Sequence, residues 1–183
     1  MFDLPLHPII VHFAIALGVG VPFIGFGLWY AIRKNWVEQK FWRLAVLSSF
    51  LYALIAVAAV QLGEVDEEKV EKVVAENIIE HHEEAAEAIP WVAGVLTLLA
   101  LAGCRGKYMR KMQLAFSVAG LLAIIPLANA GHTGGELVYE YGASIAHVSA
   151  EKMAQLKAGD LPLGKGEGHS HDGDGEHGHD DDD

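Results

Sequence analysis

From Leu4 to Ile32 the chain has no Lys, Arg, Asp or Glu, and the run is dense in Ile, Val, Phe, Leu, Ala and Gly. About 20 apolar residues cross the hydrocarbon of a bilayer as a helix, the one single-segment structure that satisfies its own backbone there. The run is too long for a cleaved signal peptide and follows Met1, Phe2 and Asp3 rather than a basic leader, so it is expected to stay as a span. Leu44 to Gly63, Ala88 to Cys104 and Gln113 to Gly135 are three further runs free of these four residue types. The expected fold is all-α: a four-helix transmembrane bundle in residues 1–159, with spans at about 8–32, 43–63, 86–104 and 112–132.

The chain is 52% hydrophobic yet has a formal net charge of −11, and position reconciles the two. Residues 63–88 and 160–183 each carry −8, which leaves +5 on everything else. A basic nucleic-acid-binding face is thereby excluded, and with Cys104 as the only cysteine so is a disulfide-stapled domain. Eight of the thirteen basic residues fall in two short connections, Arg33, Lys34, Lys40 and Arg43, then Arg105, Lys107, Arg110 and Lys111. The positive-inside bias places both in the cytoplasm of a bacterial cell, the protein being a multi-pass component of its inner membrane. Both termini then face the periplasm, and Trp29, Tyr30, Trp36, Trp42 and Tyr108 form an aromatic belt at the inner face.

Two periplasmic amphipathic helices are expected. One covers about 66–86, with Val70, Val73, Val74, Ile78 and His82 at helical spacing. The other covers about 134–157, opened by Thr133-Gly134-Gly135-Glu136 in the spacing of a capping box and carrying Val138, Tyr141, Ile145 and Val148 on one side. Residues 160–183, rich in His, Asp and Gly, cannot bury a core and are expected to be disordered.

All ten histidines fall on the periplasmic side of this topology. His7, His12, His82 and His132 come from three spans and lie at one depth, His12 roughly 6 Å into the first helix. Ionisable groups in a span are costly and usually face the bundle interior. Each alone has a plain reading: His7 as an interfacial residue, His12 bonded to a backbone carbonyl, His132 as a cation at a helix C-terminus. His81 and His82 point about 100° apart, so only one can face the bundle. Together they suit a cofactor. Facing imidazoles grip haem iron, and Phe13, Ala16, Gly18, Gly20, Ala86, Ala93, Gly94 and Ala123 would leave room for b-type haem, although small residues equally serve close helix packing. Direct Zn, Cu or Fe binding, aided by Glu83 or Glu136, is the competitor, weakened by the absence of an HxxxH or ExxH spacing. In the tail, His169, His171, His177 and His179 with their aspartates suit weak divalent-metal binding.

Leu4-Pro5-Leu6-His7-Pro8-Ile9-Ile10-Val11-His12-Phe13, with Gly134-Gly135-Glu136-Leu137-Val138-Tyr139 and Tyr141-Gly142, resembles a family of small bacterial inner-membrane proteins called domain of unknown function twenty-two thirty-one. The resemblance covers residues 4 to about 148 and implies four spans and a histidine before the third, falling on His82 rather than His81. Some relatives carry cytochrome c modules, which implies electron transfer at the periplasmic face. Ala14 stands where the motif usually has proline, which should straighten the first span locally.

The sequence reading is therefore an electron carrier, with His12 and His82 as one axial pair for haem b, and His7 and His132 as a second pair or as supporting partners. Tyr139, Tyr141 and Glu136 would cover the site from the second surface helix. The competing readings are a protein that handles Zn, Cu or Fe and a non-catalytic membrane subunit with structural histidines. Ser48, Ser49 and Ser117 lie in spans without a base, so no hydrolase is indicated. Expected partners are the lipid bilayer, a periplasmic cytochrome or other redox protein, and a second copy of the chain, but no nucleic acid.

Overall fold

The structure is a computed structural model that describes residues 5–158. All its regular elements are helical: α1 His7–Arg33, α2 Arg43–Val70, α3 Glu76–Ala102, α4 Met109–Leu122, α5 Ile124–Tyr139 and α6 Ala150–Ala158, with short 3-10 turns at Gln39–Trp42 and Ala143–His147. Four stretches are long and apolar enough to cross a membrane: His7–Arg33, Gln39–Val70, Glu76–Ala102 and Met109–Tyr139. Among the described residues, those up to His147 form one compact unit, and those from Val148 on, which carry the exposed helix α6, are separate from it.

Pro8 sits in the first turn of α1, where its missing N–H costs no bond. The fourth span is interrupted at Ala123. Pro126 has no N–H for the Leu122 carbonyl, so α4 stops there and α5 continues from Ile124. In the bundle α1 packs on α2 and α4, while α3 packs on α2, α4 and α5. Each helix runs against its neighbour, so the two basic connections share one end of the bundle. The other end gathers the start of α1, the end of α2, the start of α3 and the end of α5.

Lipid sets the surface. Phe13, Phe23, Leu47, Leu98 and Ile125 are all exposed, as a bundle solvated by acyl chains requires. The core holds Val21, Trp42, Tyr52, Ala93, Leu96 and Phe116. Trp42 leaves the expected aromatic belt: it is fully buried, stacks edge-on with Phe116 at 5.6 Å, and its Nε1–H donates to the Ala100 carbonyl at 2.8 Å. Gln113 and Gln39 both donate through Nε2 to the Gly103 carbonyl, at 2.9 and 3.3 Å. The two glutamines thus satisfy the Gly103 carbonyl at the end of α3, while the Ala100 carbonyl also accepts from the Gly103 N–H at 3.1 Å.

Both expected surface helices are redrawn. The acidic segment is divided between two helices: α2 runs on to Val70, the chain turns at 71–75, and α3 starts at Glu76 and continues into the span. At about 1.5 Å per residue the 28 residues of α2 measure about 42 Å, longer than the roughly 30 Å hydrocarbon core, so its acidic end projects beyond it. The helix expected at 134–157 does not start at Thr133, which lies inside α5. That helix ends at Tyr139, Gly142 (φ +71°) reverses the chain, and the 3-10 turn at Ala143–His147 follows. The capping-box spacing misled because Gly134 and Gly135 continue a helix already under way. A small second core of Val74, Ile79, Leu137 and Ala143 closes this end of the bundle.

Candidate functional site

His7 opens α1 and is half-buried. Its Nδ1–H donates to the Ala59 carbonyl of α2 at 2.8 Å, and its ring lies over Gly63, where a Cβ would be 3.3 Å from Cε1 and 4.0 Å from Nε2. His82, one and a half turns into α3, is also half-buried, with Nδ1 2.9 Å from the Thr133 hydroxyl of α5. That hydroxyl donates to the Ala130 carbonyl at 3.2 Å. A threonine has one O–H to give, so the Thr133 oxygen accepts here and His82 Nδ1–H is the donor. Its ring lies over Gly134, where a Cβ would be 3.0 Å from Cε1 and 3.6 Å from Nε2.

These bonds fix tautomers. A carbonyl only accepts, so the Nδ1 of His7 carries the hydrogen, as the Nδ1 of His82 does, and in each neutral ring the lone pair is left on Nε2. No hydrogen bond occupies either Nε2 among the described residues. Tying Nδ1–H to the protein while Nε2 stays open is how proteins orient an imidazole as a metal ligand. The two glycines make room for the rings themselves, each lying closest to Cε1.

The two rings also influence each other. Burial lowers the pKa of His82 below its ordinary value, the neighbouring His7 imidazole lowers it further, the Ala130 carbonyl pulls it up, and His81 adds a smaller lowering. His82 precedes the apolar run of α3, in the polar segment that projects beyond it. The next residue, Glu83, shifts the opposite way, to about 7. Burial is the main cause, followed by the charge of Glu67 and a hydrogen bond with it, then Glu87 and Glu64.

The other two histidines are elsewhere. His12 is exposed on the outer face of α1, with Nδ1–H on the Pro8 carbonyl one turn back. Five residues separate it from His7, so the two leave the helix on different faces. His7, not His12, is the histidine of α1 whose charge acts on His82. The His132 ring is 74% exposed, and its Nε2 meets Glu136 Oε1 at 3.2 Å, so that nitrogen is occupied. It does not end the fourth span, because α5 continues to Tyr139. His81 is exposed, and Tyr139, 88% exposed, covers nothing. Among the expected slot residues, Gly18 packs against Leu127 and Tyr52 and Ala93 is in the core, so these two serve helix packing, while Phe13 and Ala16 face outward and a Cβ at Gly20 or Gly94 would meet nothing within 4 Å. His169, His171, His177 and His179 lie outside the described residues.

Ala59, Gly63, Thr133 and Gly134 were missed as site residues. Gly134 carries a signal, its place in the closing motif, and Thr133 stands just before it, but their spacing with Glu136 is also that of a helix start. Ala59 and Gly63 carried none, since a backbone acceptor and a missing side chain leave no chemical trace in sequence.

Fold and site together define a polytopic helical membrane protein with a pair of oriented imidazoles at one end. The family model described as "Predicted membrane protein (DUF2231)" matches residues 3–147, and the chain belongs to that family. No curated protein and no solved structure matches it.

Proposed function

We propose that the histidine end of the bundle binds one b-type haem through Nε2 of His7 and Nε2 of His82, and that the protein carries single electrons at the periplasmic face of a bacterial inner membrane. The observation that carries this reading is the pair of half-buried rings on α1 and α3, each with Nδ1–H tied down and Nε2 free. The donor number favours haem over a bare ion. A zinc or copper cage needs three or four protein ligands, and no group of three His, Cys, Asp or Glu suited to a metal occurs among the described residues. Haem iron needs two, the porphyrin supplying the rest. Gly63 and Gly134, where a Cβ would crowd the rings at Cε1, let both imidazoles seat with Nε2 free of any protein hydrogen bond among the described residues.

When bound, haem supplies a reversible one-electron iron couple. The chain's part is to hold both imidazoles neutral and oriented: Ala59 and Thr133 fix the rings, and burial resists protonation of His82, which would cost it its lone pair. The basic connections at the opposite end support the orientation, with that end in the cytoplasm. The test is haem content per chain in full-length protein produced with ample haem. His7→Ala and His82→Ala should each abolish or sharply reduce it, while His12→Ala and His132→Ala keep it. Retention in both His7→Ala and His82→Ala refutes the assignment, and stoichiometric Zn or Cu in place of haem moves the site to direct metal binding.

A further inference from the structure

At the basic end, far from the histidines, a cavity of about 470 Å³ opens where the Gln39–Trp42 turn and the start of α2 meet the end of α3. Lys40, Arg43 and Arg105 line it, with Gln39, Leu101 and Cys104. Lys40 has a carboxylate partner, the exposed Glu38 at 2.8 Å, but among the described residues Arg43 and Arg105 have none. Gln39 spends Nε2 on the Gly103 carbonyl, and its Oε1 is the one buried side-chain oxygen or nitrogen without a hydrogen-bond partner among the described residues. A buried acceptor left unpaired calls for a donor from outside the chain. Below the cations, Leu101 and Leu98, one turn apart on α3, are both exposed along the lipid-facing side.

We infer that this cavity is a binding site for an acidic phospholipid whose headgroup carries a hydroxyl, of the phosphatidylglycerol kind. Its phosphodiester sits between the Arg43 and Arg105 guanidinium groups, which suit phosphate geometry. A headgroup hydroxyl donates to Gln39 Oε1 once that side chain turns its closed-off oxygen toward the cavity, and an acyl chain follows Leu101 and Leu98 into the bilayer. Basic pockets between spans are where anionic headgroups collect. A choline or ethanolamine headgroup would bring another cation to three, and a free anion would leave the leucine track unused.

The test is thermal unfolding of the full-length protein in a neutral detergent, titrated with short-chain phosphatidylglycerol, short-chain phosphatidylcholine or inorganic phosphate. Phosphatidylglycerol should raise the unfolding temperature saturably, with little effect from the other two. Arg43→Gln/Arg105→Gln should weaken the response roughly thirtyfold in lipid concentration, at about a fivefold loss per cation. Lys34→Gln/Lys107→Gln, which removes two cations outside the cavity, should respond like the wild type. Gln39→Leu should narrow the preference for phosphatidylglycerol over phosphatidic acid, which lacks the hydroxyl. Should Arg43→Gln/Arg105→Gln fail to fold, Arg43→Lys/Arg105→Lys takes its place and should show an intermediate loss. An equal response to phosphatidylcholine, a wild-type response from the arginine variants, or an equal response to inorganic phosphate, which would make the site one for a free anion, each overturns the inference.

Discussion

Gly134→Ala and Gly135→Ala are adjacent, chemically identical changes in α5 that should act in opposite directions. A Cβ at 134 would sit 3.0 Å from His82 Cε1, and one at 135 meets nothing within 4 Å. Carbon atoms prefer about 3.5–4.0 Å, so the methyl at 134 intrudes by roughly half an ångström or more. The ring cannot simply swing clear, because its Nδ1 is held at 2.9 Å by Thr133 on the same helix. Overpacking of this kind costs about 1–3 kcal/mol. Both substitutions gain about 0.5–1 kcal/mol of helix propensity over glycine. Gly135→Ala is therefore expected to stabilise by about that amount, and Gly134→Ala to be neutral or destabilising by up to about 2 kcal/mol. The gap of about 1–3 kcal/mol is read by thermal or denaturant unfolding in detergent, where 1 kcal/mol moves the midpoint of a chain this size by roughly 2–4 °C. Haem content should fall in Gly134→Ala and not in Gly135→Ala. If Gly134→Ala proves as stable as Gly135→Ala, the ring is not held as described.

Thr133→Val keeps the shape but removes the acceptor for His82 Nδ1–H. It should cost about 1 kcal/mol, because the Ala130 carbonyl remains close, and weaken haem retention about tenfold to a hundredfold by equilibrium transfer to apomyoglobin. The two neighbouring titrations on α3 should oppose each other in unfolding measured against pH. The folded pKa of His82 is lowered, so below the ordinary value of 6.5 the unfolded chain binds the extra proton and His82 costs stability as pH falls; His82→Asn should remove that loss. The folded pKa of Glu83 is raised from 4.5 to about 7, so its contribution is complete below 4.5 and disappears as pH rises through 7; Glu83→Gln should flatten that loss and be the more stable protein at pH 8. Trp42→Phe removes the indole donor to the Ala100 carbonyl, which keeps the Gly103 N–H, and leaves a gap beside Phe116; it should destabilise by about 1–3 kcal/mol in the same unfolding assay.

The spans were legible because uncharged runs as long as Leu4 to Ile32 have few alternatives, and the basic connections gave the pairing of helix ends. What escaped was decided by tertiary contact. Thr133-Gly134-Gly135-Glu136 has the local spacing of a helix start, and only packing shows that α5 runs through it to bring Thr133 under His82. Trp42 has the composition of an interfacial aromatic, but the end of α3 offers it a carbonyl acceptor in the core. The choice of His82 over His81 was legible through the family motif and through periodicity, since one of two adjacent helical residues must face away. The burial of His7 rather than His12 was not, because both lie in the same motif, and their partners, Ala59 on α2 and Pro8 one turn back, differ only in three dimensions.

The central claim is that His7 and His82 together clasp one iron. The most direct measurement is the low-temperature electron paramagnetic resonance spectrum of the oxidised, haem-loaded full-length protein. The expected result is a low-spin signal of bis-imidazole type that becomes high-spin or vanishes in His7→Ala and His82→Ala and is unchanged in His12→Ala. A high-spin signal in the wild type, or a low-spin signal that survives loss of either His7 or His82, would contradict the account.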